Sequence, residues 1–236
     1  RGLGDVYKRQ HTANDTQADG LTHSSIWCIV KDNQGTLWLG TYFGGVNYFN
    51  PEYEIYTRYS YSSNEKKGLS NPVVGRTIED KDGNLWIGTE GGGLNYYNRR
   101  TREFKWYRPQ EGRNSISHNN VKALYYDADK EIIWIGTHLG GLNKLDIRSG
   151  HFTHYRMEEG NPNTLPSDII RDIIPYKSLL IIATQNGVCL FDPANGQCQQ
   201  LFKDSKEGKS IKMVADVTFD SEGTLWIAAT GEGVFS

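Results

Sequence analysis

The sequence lacks long apolar runs and a strong charge of either sign. No stretch approaches the roughly 18 apolar residues of a membrane-spanning helix, and the N-terminus lacks the charged and then apolar pattern of a signal peptide. Lys and Arg total 26 against 28 Asp and Glu, which gives a formal net charge of −2. The basic residues are scattered, so no positive stripe is available to neutralise phosphates. We therefore expect no nucleic-acid partner and no membrane contact by this segment, while its compartment stays open.

Cysteine and the common catalytic motifs are also scarce. The three cysteines, Cys28, Cys189 and Cys198, are too few and too irregularly spaced for a disulfide framework or a zinc site. Cys189 and Cys198 could face each other across a hairpin, but free thiols are the commoner outcome. There is no nucleophile elbow and no phosphate-binding loop. The sequence thus predicts no cofactor, no metal, no catalytic residue and no enzymatic activity for this segment.

What the chain does contain is a repeat marked by tryptophan. The segment "GNLWIGTEGGGLNYYN", residues 83–98, recurs with variations in five copies. Their tryptophans or equivalent residues lie at positions 38, 86, 134, 181 and 226, at intervals of 45 to 48 residues. A repeat of this length indicates a solenoid, a propeller or an array.

The repeats cover residues 11–236. The first ten residues, "RGLGDVYKRQ", fit no repeat and look like a translated cloning scar, so they are excluded from fold prediction. The last copy stops at Ser236 inside a repeat, and we interpret the final blade as truncated.

Each repeat is predicted to form four short strands. In the second copy these are Val73–Asp80, Leu85–Thr89, Leu94–Asn98 and Glu103–Arg108, separated by an Asp-Gly turn, three glycines and a polar turn. No segment has helical periodicity. The pattern predicts an all-β fold, a β-propeller of four-stranded antiparallel blades. With about five repeats we expect an incomplete or open propeller, or a strained five-blade ring if "DVYKRQ" supplies an outer strand.

The tryptophans are predicted to be packing residues. Alternation along a strand puts Trp86 and Gly88 on one face and Leu85, Ile87 and Thr89 on the other. Both faces of an interior blade are covered by neighbouring blades. We expect the indole ring to fill the space that the glycine leaves between stacked sheets.

The repeat pattern D-x-x-G-x-L-W-I-G-T-x-x-G-G-L-x-x-Y-D/N resembles the two-component regulator propeller repeat. This repeat forms the sensor module of hybrid two-component systems in gut and environmental Bacteroidetes-type bacteria. The fourth copy departs from the pattern at Ile181 and Ala183, and the fifth at Ala228 and Ala229, so we expect these two blades to pack less regularly. The residues that carry the resemblance in the second copy are Asp80, Gly83, Leu85, Trp86, Ile87, Gly88, Thr89, Gly92, Gly93, Leu94 and Asn98.

The resemblance implies both a location and a function. In proteins with such repeats, large propellers lie outside the cytoplasm, ahead of a membrane span, a kinase and a response regulator, and the family is associated with glycan sensing. The resemblance therefore implies a periplasmic propeller that recognises a glycan or oligosaccharide and signals to a histidine kinase. A homodimer formed through the full-length parent is compatible with this role.

Variable loops form the first part of the predicted ligand site. A propeller places the loops between blades and the loops between second and third strands on one face. Here these loops differ between copies while their flanks repeat, as in many binding surfaces. Aromatic residues there could stack on a sugar and polar ones could bond to hydroxyls. The predicted contacts are Tyr42, Phe43, Glu90, His118, His138 and Gln185.

The innermost strand supplies the second part. Its middle positions carry Arg76, Lys122, Arg171, Asp172 and Asp216, where a fully packed strand would prefer apolar residues. Pointing into the central channel, they would be wetted and could contact a ligand. Of these, Arg76, Arg171 and Asp172 are included in the predicted site. A solvated channel lining held by mutual ion pairs is the alternative.

Two other functions remain as hypotheses. A lyase-type propeller enzyme would place a histidine and a metal on one face, and His118 and His138 could converge there, although no carboxylate partner is obvious. His151 and His154 are three residues apart on a predicted strand and so point to opposite faces, which argues against a metal site. A passive scaffold for protein contacts is the third hypothesis.

Overall fold

The computed structural model describes residues 12–13, 20–50, 55–202 and 211–236. Residues 1–10, predicted to be a leader, and the outer strand considered for "DVYKRQ" lie outside the described residues. Apart from one 3₁₀ turn, Glu65–Lys67, the regular structure described is all β. No helix in the described ranges has the length and hydrophobicity needed to cross a membrane.

The strands form five small antiparallel sheets that follow one another along the chain. The first blade contains β1 (Ile26–Lys31), β2 (Leu37–Thr41), β3 (Val46–Asn50) and β4 (Ile55–Tyr59). The second contains β5 (Val74–Glu79), β6 (Leu85–Thr89), β7 (Leu94–Asn98) and β8 (Glu103–Tyr107). The third contains β9 (Val121–Asp127), β10 (Ile132–Thr137), β11 (Leu142–Asp146) and β12 (Phe152–Tyr155). The fourth contains β13 (Ile170–Tyr176), β14 (Leu179–Thr184), β15 (Gly187–Phe191) and β16 (Cys198–Leu201). The fifth contains β17 (Val214–Phe219), β18 (Leu225–Ala229) and β19 (Gly233–Phe235).

This is a five-bladed β-propeller arrangement in which each sheet is a meander of consecutive strands. The fold prediction is confirmed, and the four predicted strands of the second blade differ from the observed ones by at most one residue at an end. The innermost strands pack on one another in sequence, β1 on β5, β5 on β9, β9 on β13 and β13 on β17. No comparable packing joins β17 to β1 within the described residues.

The hydrophobic core lies between the blades. Four clusters of buried side chains are found among the described residues, and each joins two consecutive sheets. Trp38 lies between the first and second blades, Trp86 between the second and third, and Trp134 between the third and fourth, all 1–2% exposed. Both faces of an interior sheet are therefore covered, as expected when sheets pack face to face.

The space beside each repeat glycine is not filled by tryptophan, and that detail of the prediction is wrong. A Cβ atom on Gly88 would lie 2.7 Å from Cγ1 of Val121 on β9. Gly40 and Gly136 face Val74 and Ile170 of the next blade in the same way. The inner strand of the following blade thus occupies the gap. The indole rings pack instead on tyrosines, such as Tyr96 and Tyr107 around Trp86.

Substitution of Gly88 by Ala is expected to cost about 1–3 kcal/mol of unfolding free energy, because the added methyl group collides with Val121 and overpacks the interface. Urea titration followed by circular dichroism would measure it. The matched test is the double variant Gly88→Ala with Val121→Ala, whose loss should be smaller than the sum of the two single losses by at least about 0.5 kcal/mol. Strict additivity would contradict the contact.

An aspartate organises the turn before three of the tryptophan-bearing second strands. Asp32 Oδ1 accepts hydrogen bonds from the amides of Gln34 and Thr36, while Oδ2 accepts the indole N–H of Trp38 at 2.8 Å. Asp80 and Asp220 repeat this arrangement with their own turns and tryptophans. One carboxylate therefore satisfies the turn amides and the buried indole together, which explains why Asp and Trp recur at a fixed separation.

A buried asparagine ties the loop between blades to the third strand. Asn95 is fully buried, its Oδ1 accepts the amide of Ser70 at 2.8 Å, and its Nδ2 donates to the Ser70 hydroxyl. Asn47 and Asn143 bond in the same way to Thr22 and Ser117. The fourth blade has Pro166 at the loop position and Cys189 at the strand position. Because proline has no N–H, the acceptor is not needed there.

The fourth blade is as regular as the first three, which corrects the expectation of looser packing. Ile181, Ile182 and Ala183 are 0–3% exposed. The missing Asp-Gly turn is replaced by a two-residue turn in which Tyr176 pairs with Leu179 and Lys177 has a positive φ of 56°. Cys189 and Cys198 are free, as expected, since they lie opposite Gln200 and Phe191 rather than each other.

The fifth blade does pack less completely in its described part. It has three strands, and Trp226 is 41% exposed although it occupies the same repeat position as the buried tryptophans. At the other end of the arrangement Ile29 on β1 is 62% exposed. The outward faces of the first and last sheets are thus uncovered in the described chain, while the three interior sheets are covered on both sides.

Candidate functional site

The two sets of variable loops lie together on one face, as predicted. The amide of Glu90, directly after β6, donates to the carbonyl of Val73, directly before β5. Tyr42, His138 and Gln185 make the equivalent bond in their own blades. The loop after β6 also reaches the next blade, because the amides of Gly91 and Gly93 donate to Asn119. These bonds bring the loops of neighbouring blades to the same end of the central channel.

A β-bulge interrupts every inner strand at this end of the channel. Its pairing with the second strand shifts register after the first residue or two in all five blades. The residue at the bulge is Trp27 in the first blade, Lys122 in the third, Arg171 in the fourth and Ala215 in the fifth, while Gly75 follows the first residue in the second. Bulges redirect side chains and are common beside functional sites. Here they turn one residue per blade towards the loops.

Two of the bulge residues, Trp27 and Lys122, contact loops that follow second strands, and they also contact each other. Lys122 Nζ forms an ion pair with Glu90, and the same ammonium lies 5.9 Å from the ring centroid of Trp27. Trp27 stacks on Tyr42 with ring centroids 5.2 Å apart and an interplanar angle of 14°. Trp27 remains 52% exposed. The aromatic pair, Trp27 and Tyr42, and the charged pair, Glu90 and Lys122, therefore come from three blades and meet at one end of the central channel. We call this group of residues the channel mouth.

Two histidines extend the channel mouth. His118 and His138 have ring centroids 6.5 Å apart, so the predicted convergence is present. Burial lowers the pKa of His138, and the positive charges of Arg171, Lys122 and His118 lower it further against the opposing effect of Glu90. Its Nδ1 is buried without a hydrogen-bond partner among the described residues.

His118 is fixed in orientation by its own loop. Burial also lowers its pKa. Because the Asn120 amide donates to Nδ1 at 3.0 Å, the proton of the neutral ring lies on Nε2. A neutral His118 thus presents an N–H donor rather than a lone pair from its remaining nitrogen.

A second charged group lies beside the bulges, on the next residue of three inner strands, β5, β13 and β17. Arg76 contacts Asp172 at 3.0 Å and Asp216 at 3.4 Å, which links the second, fourth and fifth blades. Burial and the neighbouring Asp216 raise the pKa of Asp172 to about 6, although the Arg76 charge opposes the shift. Arg76 and Asp172 therefore match the alternative prediction of a channel lining held by ion pairs.

The remaining predicted residues do not join the channel mouth as directly. Phe43 is 57% exposed and packs against Tyr42 on one side and His23 on another. Gln185 bonds through its backbone to Ile169 and Met213. His154 contacts the carbonyl of Ser115, and His151 precedes β12 rather than lying on it. Within the described residues no three His, Cys, Asp or Glu side chains are grouped as a metal site would need.

Sequence reasoning did not name Trp27, and it named Lys122 as channel lining without including it in the predicted site. The position of Trp27 in β1 corresponds to Lys122 in β9 and Arg171 in β13. Aligning the copies on their inner strands as well as on the Trp of the second strand would have identified it.

A separate cleft of about 480 Å³ lies at the opposite end of the first two blades and is lined by side chains that are already engaged in packing. The hydroxyls of Tyr59 and Tyr97 bond to each other at 2.8 Å. Arg99 pairs with Asp32 at 2.7 Å and lies over the ring of Trp38. We assign this cleft to the interface between blades.

Comparison with known families gives a specific match. A family model for the two component regulator propeller matches residues 20–43, 68–91 and 115–138. Three segments of the chain therefore resemble the two component regulator propeller repeat. Each matched segment of these regulator propeller repeats runs from the loop before a blade through its first two strands, so it includes the bulge. Comparison with curated proteins finds no significant match.

Two of the similar solved structures are extracellular domains. The extracellular domain of a hybrid two-component system from B. thetaiotaomicron is 25% identical with a TM-score of 0.74, and the match covers 90% of this chain and 28% of that one. A further extracellular domain from the same organism, described as part of a one-component system, is 22% identical with a TM-score of 0.71 over 90% of this chain and 30% of that one. The chain thus spans less than a third of these structures. Its fold is similar to part of these extracellular domains.

The likeness to a lyase concerns the fold alone. Virginiamycin B lyase from Staphylococcus aureus is 12% identical with a TM-score of 0.65, covering 96% of this chain and 72% of that one. Identity at this level gives no information about activity.

Proposed function

We propose that this propeller is a periplasmic sensor that binds a glycan or oligosaccharide at the channel mouth. The observation that carries the proposal is the meeting of an aromatic pair, exposed Trp27 and partly buried Tyr42, with the charged pair of Glu90 and Lys122. Sugar rings combine an apolar face with a rim of hydroxyls. A site with an aromatic surface beside hydrogen-bonding side chains therefore suits them.

The same proposal includes signalling to a histidine kinase. A bound ligand can shift a propeller or its dimer between two arrangements only if it binds them with different affinity. A ligand that contacts residues from the first, second and third blades, as at the channel mouth, would sense the arrangement of these blades. In the parent gene we expect a membrane span and a kinase encoded in frame with these repeats.

Glycan binding can be tested by calorimetry on the full chain with a panel of oligosaccharides. Tyr42→Ala should weaken binding of the best ligand roughly three- to tenfold, because one stacking contact is lost. Glu90→Gln should also weaken it by removing the charged acceptor. Tyr61→Ala is the matched control, since Tyr61 is a 57% exposed tyrosine outside the channel mouth. Binding of no oligosaccharide in the panel, or equal losses in all three variants, would contradict the proposal.

A further inference from the structure

The cleft between the first two blades, at the end opposite the channel mouth, is packed at its base and open at its rim. Its volume of about 480 Å³ is within the range of small-molecule sites. At the base, Trp38 and Tyr97 are 2% exposed, and Tyr59 stacks on Trp38 with ring centroids 5.9 Å apart. The side chains of the rim are exposed or only partly buried, and they are Gln34, Tyr48, Thr57 and Arg102.

The polar groups of the rim have no partner within the described chain. At the base, by contrast, the hydroxyls of Tyr59 and Tyr97 bond to each other at 2.8 Å, and Arg99 pairs with Asp32 at 2.7 Å. None of the four rim side chains forms a hydrogen bond or an ion pair with a described residue. The described side-chain atoms that are both buried and unpartnered belong to other residues, so the rim groups are open to solvent. A ligand in the cleft can therefore reach them.

Arg102 occupies a turn position at which other blades have glycine. Its φ is 59°, in the left-handed region, and its amide donates to the carbonyl of Asn98 at 2.8 Å. Gly150 and Gly196 close the same turn in the third and fourth blades, with φ of 72° and 76° and the equivalent hydrogen bond at 2.8 Å. A side chain is disfavoured at this φ, whereas glycine is not. The second blade thus keeps a strained residue at this turn, and that residue lines the cleft.

The Arg102 guanidinium suits an oxyanion, because arginine can form two parallel hydrogen bonds to a carboxylate, phosphate or sulfate. The other cation that lines the cleft, Arg99, is already balanced by Asp32 at 2.7 Å and Glu79 at 3.7 Å. Among the described residues, Arg102 is therefore the lining cation that lacks a counter-ion. An added anion would supply one.

An aromatic surface shares the cleft with this guanidinium. Tyr48 of β3 meets Trp38 edge to face with ring centroids 4.9 Å apart, so the aromatic base continues to the rim. Thr57 of β4 is directly opposite Tyr48 in the sheet, and their side chains lie on the same face. A ligand ring placed against Tyr48 and Tyr59 would have these two hydroxyls beside it for its polar substituents.

We propose that this cleft is a second ligand site, separate from the channel mouth, which binds a small ring compound that carries an oxyanion. The oxyanion pairs with Arg102, and the sugar or aromatic ring that carries it lies against Tyr48 and Tyr59. The proposal does not depend on glycan binding at the channel mouth, because the two sites share no residue and lie at opposite ends of the blades.

The test compares ring compounds with and without the oxyanion in NMR titrations of the full chain. Glucuronate, glucose 6-phosphate and glucose 6-sulfate are matched with glucose, and benzoate is matched with benzyl alcohol. At least one anion should bind about tenfold more tightly than its neutral partner, because a charge-assisted bond to the guanidinium is gained. The preferred pair identifies the oxyanion and the ring. Equal affinity of anionic and neutral forms, or binding of none of them, would overturn the proposal.

Arg102→Gly separates binding from folding, since it installs the residue that the third and fourth blades have at this turn. We expect its urea midpoint to equal or exceed that of wild type, because the strained φ is relieved. Its affinity for the anion should nevertheless fall by about tenfold, to that of the neutral form. The matched control is Arg100→Gln, which removes an exposed arginine of the same turn that does not line the cleft. Unchanged affinity in Arg102→Gly, or an equal loss in the control, would contradict the assignment.

A variant of the channel mouth locates the binding. Tyr42→Ala should leave the affinity for the anion unchanged, because Tyr42 stacks on Trp27 and does not line the cleft. Thr57→Val keeps a branched side chain on the exposed strand but removes one rim hydroxyl, and it should weaken binding about two- to fivefold. Loss of anion binding in Tyr42→Ala together with full binding in Arg102→Gly would place the anion at the channel mouth and overturn the proposal.

Discussion

Replacing Trp86 by Ala is expected to lower the free energy of unfolding by about 3–5 kcal/mol, which is a large share of the stability of a domain of this size. Trp86 is 2% exposed and packs on Tyr96 and Tyr107 in the core between the second and third blades. Its removal leaves a cavity between two packed sheets, which cannot move together far enough to close it. Urea titration monitored by circular dichroism would measure the loss.

The chain contains its own control for this variant. Trp226 occupies the same repeat position and donates the same indole hydrogen bond to an aspartate, yet it is 41% exposed. Trp226→Ala should therefore cost less than half as much. Equal losses would mean that the repeat position, and not burial between blades, determines the contribution of the tryptophan.

Asp32→Ala is expected to destabilise the fold by about 3 kcal/mol, because it removes one member of a largely buried ion pair and leaves several donors without an acceptor. The Asp32 side chain is fully buried and accepts from two turn amides, from the Trp38 indole and from Arg99 at 2.7 Å. The matched control is Asp220→Ala, which removes the same turn and indole bonds in the fifth blade but no described arginine. Its effect should be clearly smaller.

The same contacts predict the direction of a pH effect. Burial alone would raise the pKa of Asp32, but the hydrogen bonds from Trp38, Thr36 and Gln34 and the Arg99 charge outweigh it and leave the pKa below its ordinary value of 3.8. The ionised group then stabilises the native state above pH 3.8, and this contribution is lost as the pH falls through the lower folded pKa. Acid titration of wild type and Asp32→Ala should show a steeper loss for wild type in this range.

Much of the blade was predictable because its determinants are local. Alternating apolar residues, Asp-Gly turns and glycines with positive φ such as Gly83 and Gly93 define strand ends without reference to other blades. This is why the strands of the second blade were predicted to within one residue. The turn of the fourth blade was missed because Lys177 and Ser178 carry no strong turn signal, and Lys177 adopts its positive φ within a hairpin held by tertiary packing.

The candidate site was predictable only in part. Tyr42, Glu90, His118 and His138 were identified because these loop positions differ between the copies, while the residues on either side of them repeat. Their pairing could not be deduced, since Glu90 meets Lys122 and Tyr42 meets Trp27 through a bulge that shifts one residue in each inner strand. A register shift of one residue reverses the face of a side chain, and no local pattern marks it here.

The sequence by itself determined that this chain is a series of four-stranded units with variable loops, because strand alternation, turn residues and the repeat interval act within a few residues of each other. Only the tertiary structure decided which side chains share the channel mouth and which tryptophans are buried. Those properties depend on contacts between neighbouring blades, where residues tens of positions apart are brought within a few ångströms by the stacking of whole sheets.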